Sequence, residues 1–457
     1  MRPDDPRRPV PANYRGRFGK ADGGVEGAMV SHSLRRTSWA KSCALAVLFC
    51  AGTLADADAA PLERADAFQV EQGAQNDGSP DRQKETFAFA AGFKLDYFSN
   101  RGAGGSGNRP VSHLDVRLEM DLERIFGWPA TSATINLIGD GGSGQNARHV
   151  GSLMGVSNIE VGAPITARVF QAWVQRKACD DRLSVRVGIY PIDTEFFAME
   201  SAAVLIGPQY GTPADLAMTR GPSIFNNAAF GGRIRWEFDN AAYLMAAVLD
   251  GIPNDPNHPK RSAIRFGHGD GVFYIGEFGV LPRADNHVGH AKFGVGLWGY
   301  GTRVDDQFAT DASGTPRKHR QQGGYVLGEH TLLQWGGEDG RFVSGFARYT
   351  WSDGRSTPLA NSVNLGLHGH GVLSDRPDDV LAVAVTRVGT SGQWRALQSV
   401  AFGQTPRRSE VALEVTYRIG VSPQLAIQPN LQRIRNPGGL GGVADAKLAG
   451  VRPELTL

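Results

Sequence analysis

The chain has 457 residues with 48 basic and 46 acidic side chains, 59 glycines and three cysteines, a formal net charge of +2. Residues 1–59 hold 9 of the basic and 6 of the acidic side chains, leaving 39 against 40 downstream, a net of −1. No basic patch with interleaved aromatics marks a nucleic-acid binder, and no apolar run after the N-terminal region approaches the roughly 20 residues of a membrane-spanning helix.

Residues 1–60 read as an N-terminal extension followed by a cleaved signal peptide. Arg35, Arg36 and Lys41 give a positive start, Cys43 to Leu54 an apolar core, and Ala55-Asp56-Ala57 and Ala57-Asp58-Ala59 small-residue cleavage sites. Residues 1–28 are polar and need not precede such a signal, so Met29 is a candidate translation start. Residues 61–85 form a polar linker. Cys43 and Cys50 leave with the signal, so no disulfide is available within the mature chain. Cys179 lies in the polar turn Lys177-Ala178-Cys179-Asp180-Asp181 with no activating His, and reads as an inert turn residue.

From residue 86 the chain alternates. Phe87, Phe89, Ala91, Phe93 and Leu95 face away from Lys94 and Asp96. Then His113, Asp115, Arg117, Glu119, Asp121 and Glu123 alternate with Leu114, Val116, Leu118, Met120 and Leu122. A period of two over this length is a strand, and one face is wholly ionic. Such a face suits a water-filled lumen, with the aliphatic face on lipid. Strands follow over 131–138, 167–176, 183–190, 229–238, 242–249, 273–280, 291–300, 325–333, 342–351, 362–369, 379–387, 409–419, 424–434 and 446–457. With the first two, the pattern predicts sixteen.

Connection lengths alternate as well. Short segments at 127–130, 177–182, 239–241 and 420–423 interleave with long ones at 99–110, 139–166, 191–228, 250–272, 301–324 and 388–408. A transmembrane antiparallel β-barrel has this two-beat rhythm and a soluble sandwich does not. Closure also removes edge strands that hydrocarbon cannot tolerate. Residues 86–457 are therefore expected to form one all-β barrel domain.

In a pore the wall and whatever narrows it carry the function. Alternation points Arg117 and Glu119, Arg186, and Arg233 and Arg235 inward. Loop 191–228 is a candidate to fold into the lumen, carrying Glu195, Phe196 and Glu200. Arginine forks and carboxylates match adjacent hydroxyls, and an aromatic ring covers the apolar face of a pyranose. Trp173, on the face of Gln171 and Gln175, reads either as such a platform or as an interfacial anchor or packing residue. The arginines read either as solute contacts or as ion pairs that solvate the lumen.

Other patterns are weaker. Gly139-Asp140-Gly141-Gly142-Ser143-Gly144 lacks the Lys of a phosphate loop. His368 and His370 make no credible metal site, and Asp250, Asn254 and Asp255 are explained as a turn. No catalytic constellation, metal site or cofactor is indicated, so the protein is not expected to be an enzyme.

Several phrases in order resemble the carbohydrate-selective outer-membrane porins of the OprB type. They are Gln171-Ala172-Trp173-Val174-Gln175 with Leu183-Ser184-Val185-Arg186-Val187-Gly188; Gly221-Pro222-Ser223-Ile224-Phe225; Val248-Leu249-Asp250-Gly251-Ile252-Pro253-Asn254-Asp255-Pro256; Arg376-Pro377-Asp378-Asp379-Val380-Leu381; and Leu425-Ala426-Ile427-Gln428-Pro429-Asn430-Leu431-Gln432 with Asn436-Pro437-Gly438-Gly439. The resemblance implies a sixteen-stranded barrel in a Gram-negative outer membrane. It implies passive diffusion of small, glucose-like sugars through a charged and aromatic constriction. The chain departs from the family at Ala203-Val204-Leu205-Ile206-Gly207-Pro208, where a more polar phrase is expected, and at Leu457, where such barrels often end in Phe. The resulting expectation is a sugar porin in contact with outer-membrane lipid and lipopolysaccharide, as a homotrimer or a monomer. A general or organic-acid-selective porin is the alternative, followed by a secreted all-β carbohydrate-binding or adhesin protein.

Overall fold

Alternation becomes strand from Phe87 onwards in the computed structural model, which describes residues 86–162, 167–238, 241–258, 261–282, 291–335 and 340–457. The export segment read over 1–60 and the linker 61–85 lie outside the described residues. The strands are β1 (Phe87–Arg101), β2 (Gly107–Asn108), β3 (Val111–Asp121), β4 (Thr131–Gly141), β5 (Arg168–Ala178), β6 (Leu183–Tyr190), β7 (Ala229–Glu237), β8 (Ala242–Asp250) and β9 (Val272–Val280). They continue as β10 (Ala291–Thr310), β11 (Pro316–Trp335), β12 (Arg341–Ser352), β13 (Leu359–His370), β14 (Val380–Thr390), β15 (Ser409–Ser422), β16 (Leu425–Arg435) and β17 (Ala446–Thr456). The two-residue β2 only extends the edge of β1. The other sixteen pair antiparallel with their sequence neighbours, and β17 returns to β1 from Gly92↔Thr456 to Arg101↔Lys447, closing the barrel. Leu457 adds reciprocal backbone bonds with Ala91 at 2.8 and 3.1 Å.

Burial is inverted relative to a soluble protein. Phe89, Leu297 and Leu431 are 58–62% exposed on the outer wall, whereas Asp96, Glu277 and Arg348 are at most 2% exposed inside. Large apolar side chains accept that exposure only where lipid replaces water, and closure leaves no unpaired edge.

Three expectations change in detail. The ionic strand predicted over 113–123 ends at Asp121, because that carboxylate caps a short helix, Leu122–Phe126, accepting from the backbone N–H groups of Glu123 and Arg124 at 3.0 and 3.1 Å. Gly127, at φ +72°, ends the helix in the left-handed conformation. The long loop expected over 301–324 is instead the continuation of β10 and β11 into a tall hairpin, whose strands stay paired from Arg303↔Arg320 to Thr310↔Pro316 despite two bulges. The segment 388–408 contains a helix, Gly392–Phe402, capped by Ser391. Cys179 sits exposed in a turn with Asp180 and Asp181, all three at positive φ.

The lumen is also less uniformly polar than the alternation of β3 suggests. Met245, Ala247, Phe273, Ile275, Trp298, Tyr300, Tyr325, Leu327 and Phe346 form an apolar inner wall, buried against Phe196, Phe197, Met199, Val204, Leu205 and Leu216 of loop 191–228. The loop thus folds into the barrel, as expected from the sequence, and forms an apolar core with that wall.

Candidate functional site

The inserted loop is fixed by side chains that rise from the wall. Glu277 on β9 accepts from the Phe197 backbone N–H at 2.8 Å and from the hydroxyls of Tyr243 and Tyr325 at 2.5 and 2.6 Å. Glu329 on β11 accepts from the N–H groups of Glu200 and Ser201 at 3.1 and 2.8 Å. Glu414 on β15 accepts from those of Ile206 and Gly207 at 2.7 and 3.0 Å. Arg348 on β12 answers with the opposite polarity, donating to the carbonyls of Phe197, Gly211 and Gln209 at 3.0, 2.7 and 2.6 Å. Bonds to a charged group contribute about 1.5–3 kcal/mol each, and they satisfy backbone groups that the lumen would otherwise strand. The phrase 203–208 that departs from the family's polar pattern is explained here. Val204, Leu205 and Ile206 are buried anchors of the loop and do not line a passage.

Residues 152–158 of the β4–β5 connection enter the lumen too, which the sequence did not signal. Ser157 donates to Asp96 at 2.5 Å, Gln432 donates to the Val156 carbonyl at 2.9 Å, and Asn158 bonds the Ile206 carbonyl at 2.8 Å through its backbone N–H. Glu410 on β15 holds its start, accepting from Ser152 Oγ and Leu153 N–H at 2.6 and 3.0 Å.

Against this clamped loop stands the polar wall of β5 to β7. Trp173 pairs with Gly188 in register, and its ring lies on the inner face. The guanidinium of Arg186 sits 3.7 Å from the centre of that ring and donates to Gln175 at 3.0 and 3.2 Å. Arg233 donates through Nε and Nη2 to the two oxygens of Glu195, at 3.1 and 2.6 Å, and Arg186 lies 3.6 Å from the same carboxylate. Burial by itself would raise the Glu195 pKa, but Arg186 and Arg233 outweigh it and hold the group at about 2. Trp173 also packs, partly buried, against the apolar cluster of the loop and wall. Gly188 makes the stack possible: it sits at φ +146°, and a Cβ there would come within 2.5 Å of the Trp173 Cα.

The remaining sequence candidates divide. Arg235 joins this wall, 4.3 Å from the Tyr243 ring centre and 3.0 Å from Glu237. Arg117 and Glu119 lie 4.0 Å apart on β3, as neighbours on one strand. Phe196 is fully buried in the loop core, so it offers no face to a solute, contrary to the expectation; an apolar loop residue facing an apolar wall is drawn into it. Glu200 stays exposed, and it is its backbone, not its side chain, that meets Glu329. The wall groups Glu277, Glu329, Glu414 and Arg348 were missed in sequence reading. Their signal was present, as single charges at inward positions among apolar neighbours. His368 and His370 flank Phe342, with ring centres 5.7 and 5.5 Å away. An apolar hollow of about 620 Å³ lined by Phe293, Leu332, Leu365 and Leu367 opens on the outer wall and belongs to the lipid surface.

Residues 106–457 match the family model described as carbohydrate-selective porin, OprB family. The chain belongs to this family. Porin B of Pseudomonas aeruginosa is 22% identical over 407 residues, covering 79% of this chain and 86% of that protein. The putative porin QuiX of Acinetobacter baylyi is 20% identical over 403 residues, covering 82% and 90%. Among solved structures, the high-pH form of Pseudomonas putida OprB superposes with a TM-score of 0.73 at 19% identity, covering 83% of this chain and 96% of that one. Its low-pH form gives 0.52 at 15% identity, covering 84% and 98%. Both likenesses speak to the fold. Family and closed barrel together make the protein a sugar porin of the Gram-negative outer membrane. The sequence reading of family, architecture, location and passive sugar passage is borne out.

Proposed function

We propose that Trp173, Gln175, Arg186, Arg233 and Glu195 form the sugar-selecting constriction of this porin, with Arg235, Arg117 and Glu119 lining the periplasmic approach. The observation that carries the reading is the convergence of Arg186 on both the Trp173 ring and Glu195, at 3.7 and 3.6 Å. A hydroxyl both donates and accepts, so it can bridge an arginine N–H and the carboxylate beside it. The ring offers a surface for the C–H face of a pyranose. A solute with one charge gains less from such a cluster than from a single-sign ring, because Glu195 is shared between Arg233 and Arg186 and partly offsets both. Passage is downhill and needs no coupling to energy.

Liposome swelling with purified protein tests this, comparing glucose, a disaccharide, an amino acid and a small organic acid. Faster swelling in sugars, reduced in Arg186→Ala and Trp173→Ala, supports the assignment. Faster entry of the organic acid would favour the two arginines as an anion site. Equal rates for all four solutes in wild type and variants would remove these residues from the constriction.

A further inference from the structure

We propose that Arg101, Lys447, Arg433 and Arg435 form a binding site on the membrane-facing wall for the phosphate groups of an outer-leaflet glycolipid. The inference is independent of the sugar constriction and rests on the barrel's place in the outer membrane. Register puts Arg101 opposite Lys447 and Lys447 opposite Arg433, so three cations stand side by side across β1, β17 and β16. Arg435 lies on the same face two residues further along β16. All four are exposed, while the alternating residues Asn100, Leu448, Gln432 and Ile434 are buried inside.

Neighbouring strands are about 4.8 Å apart, and like charges directly opposite one another destabilise a sheet. One acid answers them: Asp445 accepts from Arg433 Nη2 and Nε at 2.8 and 3.1 Å. The side chains of Arg101, Lys447 and Arg435 have no ion-pair or hydrogen-bond partner among the described residues. A patch this basic, uncompensated from within, calls for an external anion.

Its height identifies the anion. Along the same outward columns the next tier is Ser99, Ala449 and Leu431, and the one after it Tyr97, Val451 and Pro429. Leu431 and Tyr97 are 58% and 45% exposed and belong to the lipid-facing surface. An outward tyrosine at the top of the apolar band marks the interface. Four residues at roughly 3.3 Å rise and about 40° tilt place the cations on the order of 10 Å above it, at headgroup level. These strand ends lie on the side of the long loops, hence in the outer leaflet, where the headgroups are phosphorylated glycolipids. Arginine forks and an ammonium held side by side match phosphate oxygens in geometry and charge.

The test uses the purified full-length protein in detergent and counts retained bisphosphorylated lipid A by native mass spectrometry. Wild type is expected to hold lipid A in preference to the same lipid stripped of its phosphates. The triple variant Arg101→Gln, Lys447→Gln, Arg435→Gln is expected to bind it about tenfold or more weakly, with lipid-free melting and glucose flux unchanged. Asp445→Asn, which removes the one opposing charge, is expected to strengthen retention and serves if the triple variant fails to fold. Equal retention by wild type and variants, or of the dephosphorylated lipid, would overturn the proposal. Displacement by an equal concentration of inorganic phosphate would do the same, since it would mark a simple anion site.

Discussion

Arg233 on the wall and Glu195 on the inserted loop form a two-point ion pair, with Nη2 to Oε1 at 2.6 Å and Nε to Oε2 at 3.1 Å. The pair is a clasp. It fixes the acidic edge of the loop at the place where Arg186 also arrives, so one carboxylate sets the position of two arginines. Truncating one partner of such a buried pair costs more than the pair contributes, because a charge is left behind without its counter-charge.

Glu195→Gln is expected to leave the barrel folded but to release both guanidinium groups, raising conductance for small anions and lowering sugar discrimination. The pH profile follows from the depressed pKa. Because the folded group titrates at about 2 and its ordinary value is 4.5, its stabilisation is complete above 4.5 and is lost as pH falls towards 2. Single-channel conductance in planar bilayers should accordingly show no titration of this group between about pH 5 and 8. A step in that window that disappears in the Gln variant would contradict the clasp.

Trp173→Ala should weaken sugar retention in the pore by about tenfold, the loss of one ring contact and of the Arg186 cation–π pair. Current-noise analysis with maltooligosaccharides reads this directly. Gly188→Ala should mimic part of the effect without touching the ring, since the new Cβ would displace Trp173. An unaltered half-saturation in both variants would place Trp173 outside the sugar path.

Two acids of the loop titrate in the opposite sense to Glu195. Burial pushes Asp193 and Asp215 up to about 6 from 3.8, against hydrogen bonds from the Phe225 backbone and Thr212 to Asp193 and from Thr350 to Asp215. The folded state therefore binds these protons more tightly, so their contribution is fully present below 3.8 and is lost as pH rises through about 6. Loop docking should weaken by on the order of 1–3 kcal/mol per group across that interval. Hydrogen exchange of the loop at pH 4.5 and 7.5 measures it, and Asp193→Asn with Asp215→Asn should remove most of the difference.

Glu414→Ala should free one end of the loop while the sixteen strands stay paired. It leaves the N–H groups of Ile206 and Gly207 without an acceptor, at a cost of about 2–5 kcal/mol to local docking. Faster proteolysis within 200–210 and larger open-channel noise, with unchanged heat-modifiable migration on gels, are the expected readouts. Wild-type noise would show that the apolar contacts of Val204 and Leu205, with the clamps from Glu329 and Arg348, suffice without Glu414.

How much of this was legible beforehand varies along the chain. The barrel was readable because each spanning strand must segregate lipid-facing from inward residues with a period of two, and His113 to Asp121 does so without exception. The end of that strand was not. Asp121 suits both an ionic strand face and a helix N-cap, and only the turn into Gly127 chooses between them. The hairpin over 301–324 was hidden for a related reason, since beyond the membrane neither face must be apolar and the alternation fades. Among site residues, Arg186 and Arg233 were found by parity alone.

The sequence by itself determined the closed sixteen-stranded wall, its outward apolar face and its family, because membrane burial imposes a local, repeating rule on every strand. Which side chains meet inside was decided only in the tertiary structure. Glu195 reaches Arg233 across 38 residues, and Ile206 reaches Glu414 across 208. Such contacts depend on where a long loop finds buried partners for its backbone, and no periodicity in the chain encodes that.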